Sequence, residues 1–111
     1  MKYLLVLSFF LSFVAHSAEY PAPSTITALT FSEAGVRVKM TAMSSSDMCP
    51  DSKYYYLDTA NAGSDKLVSV LLAAKLSQQK IWFQLNGCAG DGSYSYKKIT
   101  HVYLCDTMWC S

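Results

Sequence analysis

The chain has 111 residues, about half of them hydrophobic, and a formal net charge of +1. That length gives one domain large enough to bury a core. A charge this close to zero provides no electrostatic footprint for nucleic acid or an anionic membrane surface, so neither is expected as a partner.

The chain opens with Lys2 and an apolar run from Leu4 to Val14. Small residues follow at Ala15, Ser17 and Ala18, then Glu19-Tyr-Pro-Ala-Pro23. A charged start, a short apolar run and a small-residue exit mark a secretory signal peptide over residues 1–18, with a single domain over 19–111. The run is too short for a membrane-spanning helix, which needs about 20 apolar residues. Cleavage is expected after Ala18; cleavage after Ser17 is the alternative and puts Ala15 at the third position back. The exported part keeps eight basic and eight acidic residues, and its expected location is secreted or periplasmic.

Ile26 to Phe31 is rich in threonine and apolar residues, which suits a first strand. Glu33-Ala-Gly35 is a turn. Val36, Val38, Met40 and Ala42 then alternate with Arg37, Lys39 and Thr41, the period of a half-buried second strand. Ser44 to Asp51 is a loop by composition. Lys53-Tyr-Tyr-Tyr-Leu57 reads as a third strand with aromatic rings on both faces, closed by Asn61-Ala-Gly63. Ser64 is suited to cap a helix, and Asp65 complements its positive end. Leu67, Val68, Val70, Leu71, Leu72 and Ala74 give this helix, Ser64 to Lys75, an apolar face broad enough that it is expected to be largely buried. Ile81, Phe83 and Leu85 alternate with Trp82, Gln84 and Asn86 in a fourth strand. Asn86 to Ser93 is a turn-rich loop, and Tyr96 to Cys105 is a fifth strand.

Three strands, a helix and two more strands is the order of the OB-fold, a five-stranded all-β Greek-key barrel with one helix. An open α+β sheet is the runner-up for the same order. Cys49, Cys88, Cys105 and Cys110 all lie in the exported part, and an even count there reads as two disulfides with three connectivities. If successive strands alternate in direction, the second and fourth end together, which brings Cys49 to Cys88. Cys105, at the end of the fifth strand, is left with Cys110.

Catalysis finds little support. A metal site would have to be built without CxxC or HxxxH spacing, and no cofactor is expected. Asp91-Gly92 supplies one carboxylate in a turn, too little for a calcium loop. His101 is the one exported histidine; it lies within a strand and reads as a hydrogen-bonded structural residue. Asp47, Asp51, Asp58 and Asp91 fall in loops or strand ends without visible pairing. The chain therefore reads as non-enzymatic.

The run Val68-Ser-Val-Leu-Leu-Ala-Ala-Lys-Leu-Ser-Gln-Gln-Lys-Ile-Trp-Phe83 and the terminal Val102-Tyr-Leu-Cys-Asp-Thr-Met-Trp-Cys110 resemble the binding (B) subunits of pertussis-like and subtilase-type AB5 toxins, mainly over residues 64–110. The resemblance implies a secreted OB-fold, a homo-oligomeric ring of five copies, a catalytic A subunit as partner, and recognition of cell-surface glycans, often sialylated. In that family a serine at or before the opening of the first strand contacts the sugar, and Ser24 or Thr25 falls there in this chain. A tyrosine on the strand after the helix helps to hold the sugar; that position falls on Gln84 or Leu85 here.

Tyr54, Tyr55, Tyr56, Trp82, Tyr94, Tyr96, Tyr103 and Trp109 suit sugar stacking, but equally a small core or a subunit interface. Tyr94 and Tyr96 sit in or beside the loop joining the last two strands, a common ligand edge of OB-folds, and are the expected exposed contacts. Met108-Trp109, in the terminal loop, is an expected oligomer contact. The candidate ligand-binding residues are thus Ser24, Thr25, Gln84, Tyr94 and Tyr96. The leading expectation is a glycan-binding module, and the alternative is an OB-fold interaction protein that binds no glycan.

Overall fold

The computed structural model describes residues 18–44 and 46–105. Nearly all of the expected signal peptide, and the Met108-Trp109-Cys110 end, lie outside the described residues. The elements are β1 (Ile26–Phe31), β2 (Gly35–Met40), β3 (Tyr55–Asp58), α1 (Ser64–Ser77), β4 (Ile81–Ala89) and β5 (Tyr96–Leu104). The chain is mostly β with one helix, and no helix of the described residues is long and apolar enough to cross a membrane.

The five strands form one sheet in the order β1-β2-β3-β5-β4. Neighbours run antiparallel except β3 and β5, which are parallel through Tyr55 opposite Lys97 and Tyr56 opposite Lys98. The segment ahead of β1 lies antiparallel along β4. Ser24 and Ile81 exchange backbone hydrogen bonds of 3.0 and 2.9 Å, and Glu19 and Leu85 exchange two of 2.8 Å. Backbone pairing therefore continues from β4 into the chain that leads to β1, which covers an edge that would otherwise invite another strand.

Period-two alternation builds the core. Val36, Val38 and Met40 of β2 face Ile81, Phe83 and Leu85 of β4, joined by Ile26, Tyr55, Leu57 and Ile99 and closed by Leu71 and Ala74 of α1. The Cys49–Cys88 disulfide is present, with Cα atoms 5.9 Å apart, as the strand directions imply. The partner expected for Cys105 lies outside the described residues.

Several boundaries differ from the sequence reading. β2 stops at Met40, and Ala42 is exposed. The chain turns away there because Thr41 N–H donates to Thr25 O (2.9 Å) and Ala42 N–H to Ser24 Oγ (3.2 Å). β3 begins at Tyr55 rather than Lys53 because its pairing with β2 ends where Val38 meets Tyr55. Upstream, Asp51 is tied instead to Ser95, N–H to O at 3.0 Å and Oδ2 to N–H at 2.7 Å. β4 runs on to Ala89 through what was expected to be loop. Two register shifts absorb the extra residues, and Gly87, at φ 75°, takes the left-handed conformation that such a bulge requires.

The helix is corrected twice. Gly63, at φ 87°, is its N-cap, and the Ser64 hydroxyl donates backward to Thr59 O (3.1 Å) instead of capping the first turn. Burial is also narrower than expected. Leu71 and Ala74 are buried and Leu67 and Val68 half-buried, but Leu72 is 41% and Leu76 85% exposed. The sheet covers one stripe of the cylinder, and Leu72 and Leu76 share a different one.

Gly35 starts β2 against the next strand. A Cβ there would collide with the Leu57 carbonyl oxygen and the Tyr56 ring. The carbonyl belongs to backbone and cannot rotate away. Gly35→Ala is expected to cost about 1–3 kcal/mol, read as a lower urea midpoint at unchanged m-value.

Candidate ligand-binding site

Successive residues of a strand point to opposite faces, and β3 uses this to split its tyrosines. Tyr55 faces the core, its ring edge-on to Phe83 at 5.7 Å and its hydroxyl accepting from Ser44 N–H at 2.6 Å. Burial, the largest cause, pushes that hydroxyl above its ordinary pKa. Tyr56 faces the other way and begins a stack. Its ring lies 6.3 Å from Tyr96 at 22°, and Tyr96 lies 5.9 Å from Tyr94 at 8°. Tyr54 meets Tyr96 edge-on at 5.7 Å. The stack rises from buried Tyr56 and Tyr96 to Tyr94, which is 54% exposed.

Charged and hydroxyl groups converge beside the exposed ring. Arg37 is the register partner of Tyr56 across β2 and β3, and its guanidinium lies over Tyr94, 5.9 Å from the ring centroid. Nη2 of Arg37 is 3.6 Å from Asp91 Oδ2, while its Nε is shut off from solvent without a hydrogen-bond partner among the described residues. Asp91 Oδ1 accepts from the Tyr56 hydroxyl at 2.7 Å. The Ser32 hydroxyl reaches both Asp91 Oδ2 and Gly35 O at 3.0 Å with its one proton. The Tyr56 hydroxyl is pushed up to about 12, by burial first and then by its bond to the Asp91 carboxylate. Asp91 is held below the usual carboxylate value, by the Tyr56 hydrogen bond first and then that of Ser32, with Arg37 adding its charge. Burial raises the Tyr96 hydroxyl.

This pattern fixes the sign of an acid effect. A carboxyl whose folded pKa lies below its unfolded value stabilises the fold above the unfolded value, 3.8 for Asp91, and loses that contribution as pH falls through the folded one. Wild type is expected to lose thermal stability below about pH 4 more steeply than Asp91→Asn, whose side chain does not titrate. Parallel melts from pH 5 to pH 2, as rough bounds, check this; identical slopes would remove Asp91 from the acid response.

The expected residues do not form one site. Tyr94 and Tyr96 come together, but Tyr96 is buried, at 3% exposure, and supports Tyr94 from beneath rather than facing solvent. Ser24 is also buried; its backbone pairs with Ile81 and its hydroxyl accepts from Ala42 N–H. Thr25 Oγ1 lies 2.8 Å from Thr41 Oγ1. Gln84 is half-buried on β4, opposite His101 of β5. Ser24 meets the first residue of β4, whereas the Tyr94 loop follows its last, so the two sets belong to opposite ends of that strand. His101 is exposed, its Nδ1 3.1 Å from Thr100 Oγ1.

Sequence reasoning missed Arg37 and Ser32, and weighed Asp91 as a calcium ligand and as an unpaired catalytic carboxylate but not as part of a binding site. The missing signal is register, which alone sets Arg37 beside Tyr56. Among the described residues, no group of three or more His, Cys, Asp or Glu side chains could hold a metal ion. Neither a comparison with protein-family models nor a search of curated proteins returns a match for this chain.

Proposed function

We propose that this chain is a secreted, non-enzymatic binding module with an OB-type Greek-key barrel, similar to the B subunits of AB5 toxins, that recognises glycans on cell surfaces. The barrel reading is supported by the β1-β2-β3-β5-β4 order, the parallel β3–β5 pair and the pairing of residues 19–24 with β4. One observation carries the binding reading: Tyr94 offers a half-exposed ring on a braced stack, with Arg37 and Asp91 beside it. An aromatic ring packs on the C–H face of a pyranose. The guanidinium can donate to sugar hydroxyls, and the carboxylate can accept from them. The paired charges favour a neutral sugar face over an isolated anion. One such shallow site binds weakly, and a ring of copies would add avidity through effective concentration.

A glycan array probed with the protein in multivalent format tests the reading. Binding that falls tenfold or more with Tyr94→Ala, about 1.4 kcal/mol, is the expected result; a blank array overturns it. A second reading, an exported OB-fold interaction protein without glycan binding, is favoured by Ser24, whose hydroxyl is buried against Ala42 N–H, and by the non-aromatic Gln84. Native mass spectrometry separates the two in part, since a strict monomer favours the second.

A further inference from the structure

Two residue pairs in the exported chain can close a succinimide ring: Asn86 precedes Gly87, and Asp91 precedes Gly92. In each pair the backbone nitrogen of the glycine can attack the side-chain carbonyl before it, because no Cβ on the attacking residue blocks the approach. The fold treats the two pairs differently. Asp91 is pinned. The Tyr56 hydroxyl donates to Asp91 Oδ1 at 2.7 Å, the Ser32 hydroxyl lies 3.0 Å from Oδ2, and Arg37 Nη2 lies 3.6 Å from the same oxygen. These partners hold the group as a carboxylate, and a carboxylate oxygen is a poor leaving group.

Asn86 is not pinned. Leu85 pairs with Ile99 and Cys88 with Lys97, so Asn86 and Gly87 together face the single residue Lys98. That is a bulge, and its extra residue is left out of the ladder. The Asn86 side chain is half-buried and has no hydrogen-bond partner among the described residues. Gly87 stands at φ 75°, and a Cβ there would meet no atom within 4 Å. The backbone therefore has open space where the ring must form. A regular strand would instead hold the reacting atoms apart in extended, paired backbone.

We propose that Asn86-Gly87 is a covalent self-modification site, at which the neutral side chain of the β4 bulge is converted to a carboxylate. The Gly87 nitrogen gives its proton to solvent base and bonds to Asn86 Cγ. The Cγ–Nδ2 bond breaks, and the side-chain nitrogen takes a proton from water and leaves as ammonia. Water then opens the five-membered ring at either of its carbonyls. Attack at Cγ gives aspartate. Attack at the backbone carbonyl gives isoaspartate, which carries one more carbon in the main chain. The net reaction is amide plus water to carboxylate plus ammonium, with no change of oxidation state. The exported part, balanced at eight basic and eight acidic residues, gains one negative charge. Cys88 follows the bulge directly and is bonded to Cys49, so the isoaspartate form lengthens the main chain beside the disulfide.

The test holds the full exported chain, disulfide intact, in warm, mildly alkaline buffer, with a second sample in concentrated urea. Both are then reduced and digested with trypsin, and the fragment 81–97, which contains Asn86 and Asp91, is followed by mass spectrometry with electron-transfer fragmentation. Asn61, which precedes Ala62, is the reference. In the folded chain Asn86 is expected to convert about tenfold or more faster than Asn61, with no isoaspartate at Asp91. In urea, where the partners of Asp91 are gone, isoaspartate is expected at both positions. Asn86→Gln, whose longer side chain would have to close a six-membered ring, is expected to abolish the acidic form seen on isoelectric focusing. Conversion of Asn86 in urea but not in the folded chain overturns the proposal, because the strand then protects the pair. Isoaspartate at Asp91 in the folded chain, or an acidic form that persists in Asn86→Gln, overturns it as well.

Discussion

Glu19→Ala is expected to destabilise the fold by about 3–5 kcal/mol, the cost of leaving a buried charge without its counter-ion. The charge is Lys97, at 1% exposure in β5, with Nζ 3.4 Å from Glu19 Oε1 and 2.9 Å from Ser44 Oγ. Glu19 is itself fixed. Its other oxygen accepts from Ser46 Oγ at 2.6 Å, and its backbone pairs with Leu85 in both directions. The converse change should be milder. Lys97→Met removes the buried charge and keeps most of the packing, and Glu19, 20% exposed in its side chain, can recover hydration. A loss of about 1 kcal/mol or less is expected there, since replacing a buried ion by an apolar side chain is often neutral or better. Urea denaturation of both variants at matched m-value measures the difference. If Lys97→Met proves the more damaging, the pair does not work as an ion held in place by its counter-ion.

Lys97 also marks where sequence reading stops. Lys97-Lys98 in a strand looks like surface on both faces, and nothing local says that one of the two is buried. The reason for its burial lies 78 residues upstream, at Glu19, and is visible only once the leading segment is laid along β4. The strand phases were legible because Val36, Val38 and Met40, or Ile81, Phe83 and Leu85, give their buried face directly through period two. The Cys49–Cys88 pair was legible for a related reason, since it depends on strand direction and not on detail. Exposure of Leu72 and Leu76 was not legible, because periodicity reports which side chains are apolar and not how wide a stripe the sheet will cover. The Tyr94 end of the sheet divides the same way. Tyr94 and Tyr96 could be named from their place in a loop, but which of them meets solvent follows from the stack on Tyr56, and Arg37 joins them only through the β2–β3 register.

Replacing Cys49 and Cys88 together by serine is expected to cost about 4 kcal/mol, from the chain entropy of a closed loop of this size; the two cysteines are 39 residues apart in sequence. Cys49 is buried and Cys88 exposed, so the bond joins the interior end of the β2–β3 connection to the solvent side of β4. That connection also carries Ser44 and Ser46. Ser44 donates its N–H to the Tyr55 hydroxyl and holds Lys97 Nζ, and Ser46 holds Glu19. Opening the disulfide should therefore loosen the polar groups that make the Glu19–Lys97 pair favourable. The two perturbations share a segment and should not add. In a cycle combining Cys49→Ser/Cys88→Ser with Glu19→Ala, the combined loss is expected to fall short of the sum of the separate losses by about 0.5 kcal/mol or more. Full additivity would mean that the serines are held by the sheet alone, and that the disulfide acts only on the unfolded chain. A shortfall would mean that it also shapes the folded state, by holding the β2–β3 connection where its two serines can serve a buried lysine.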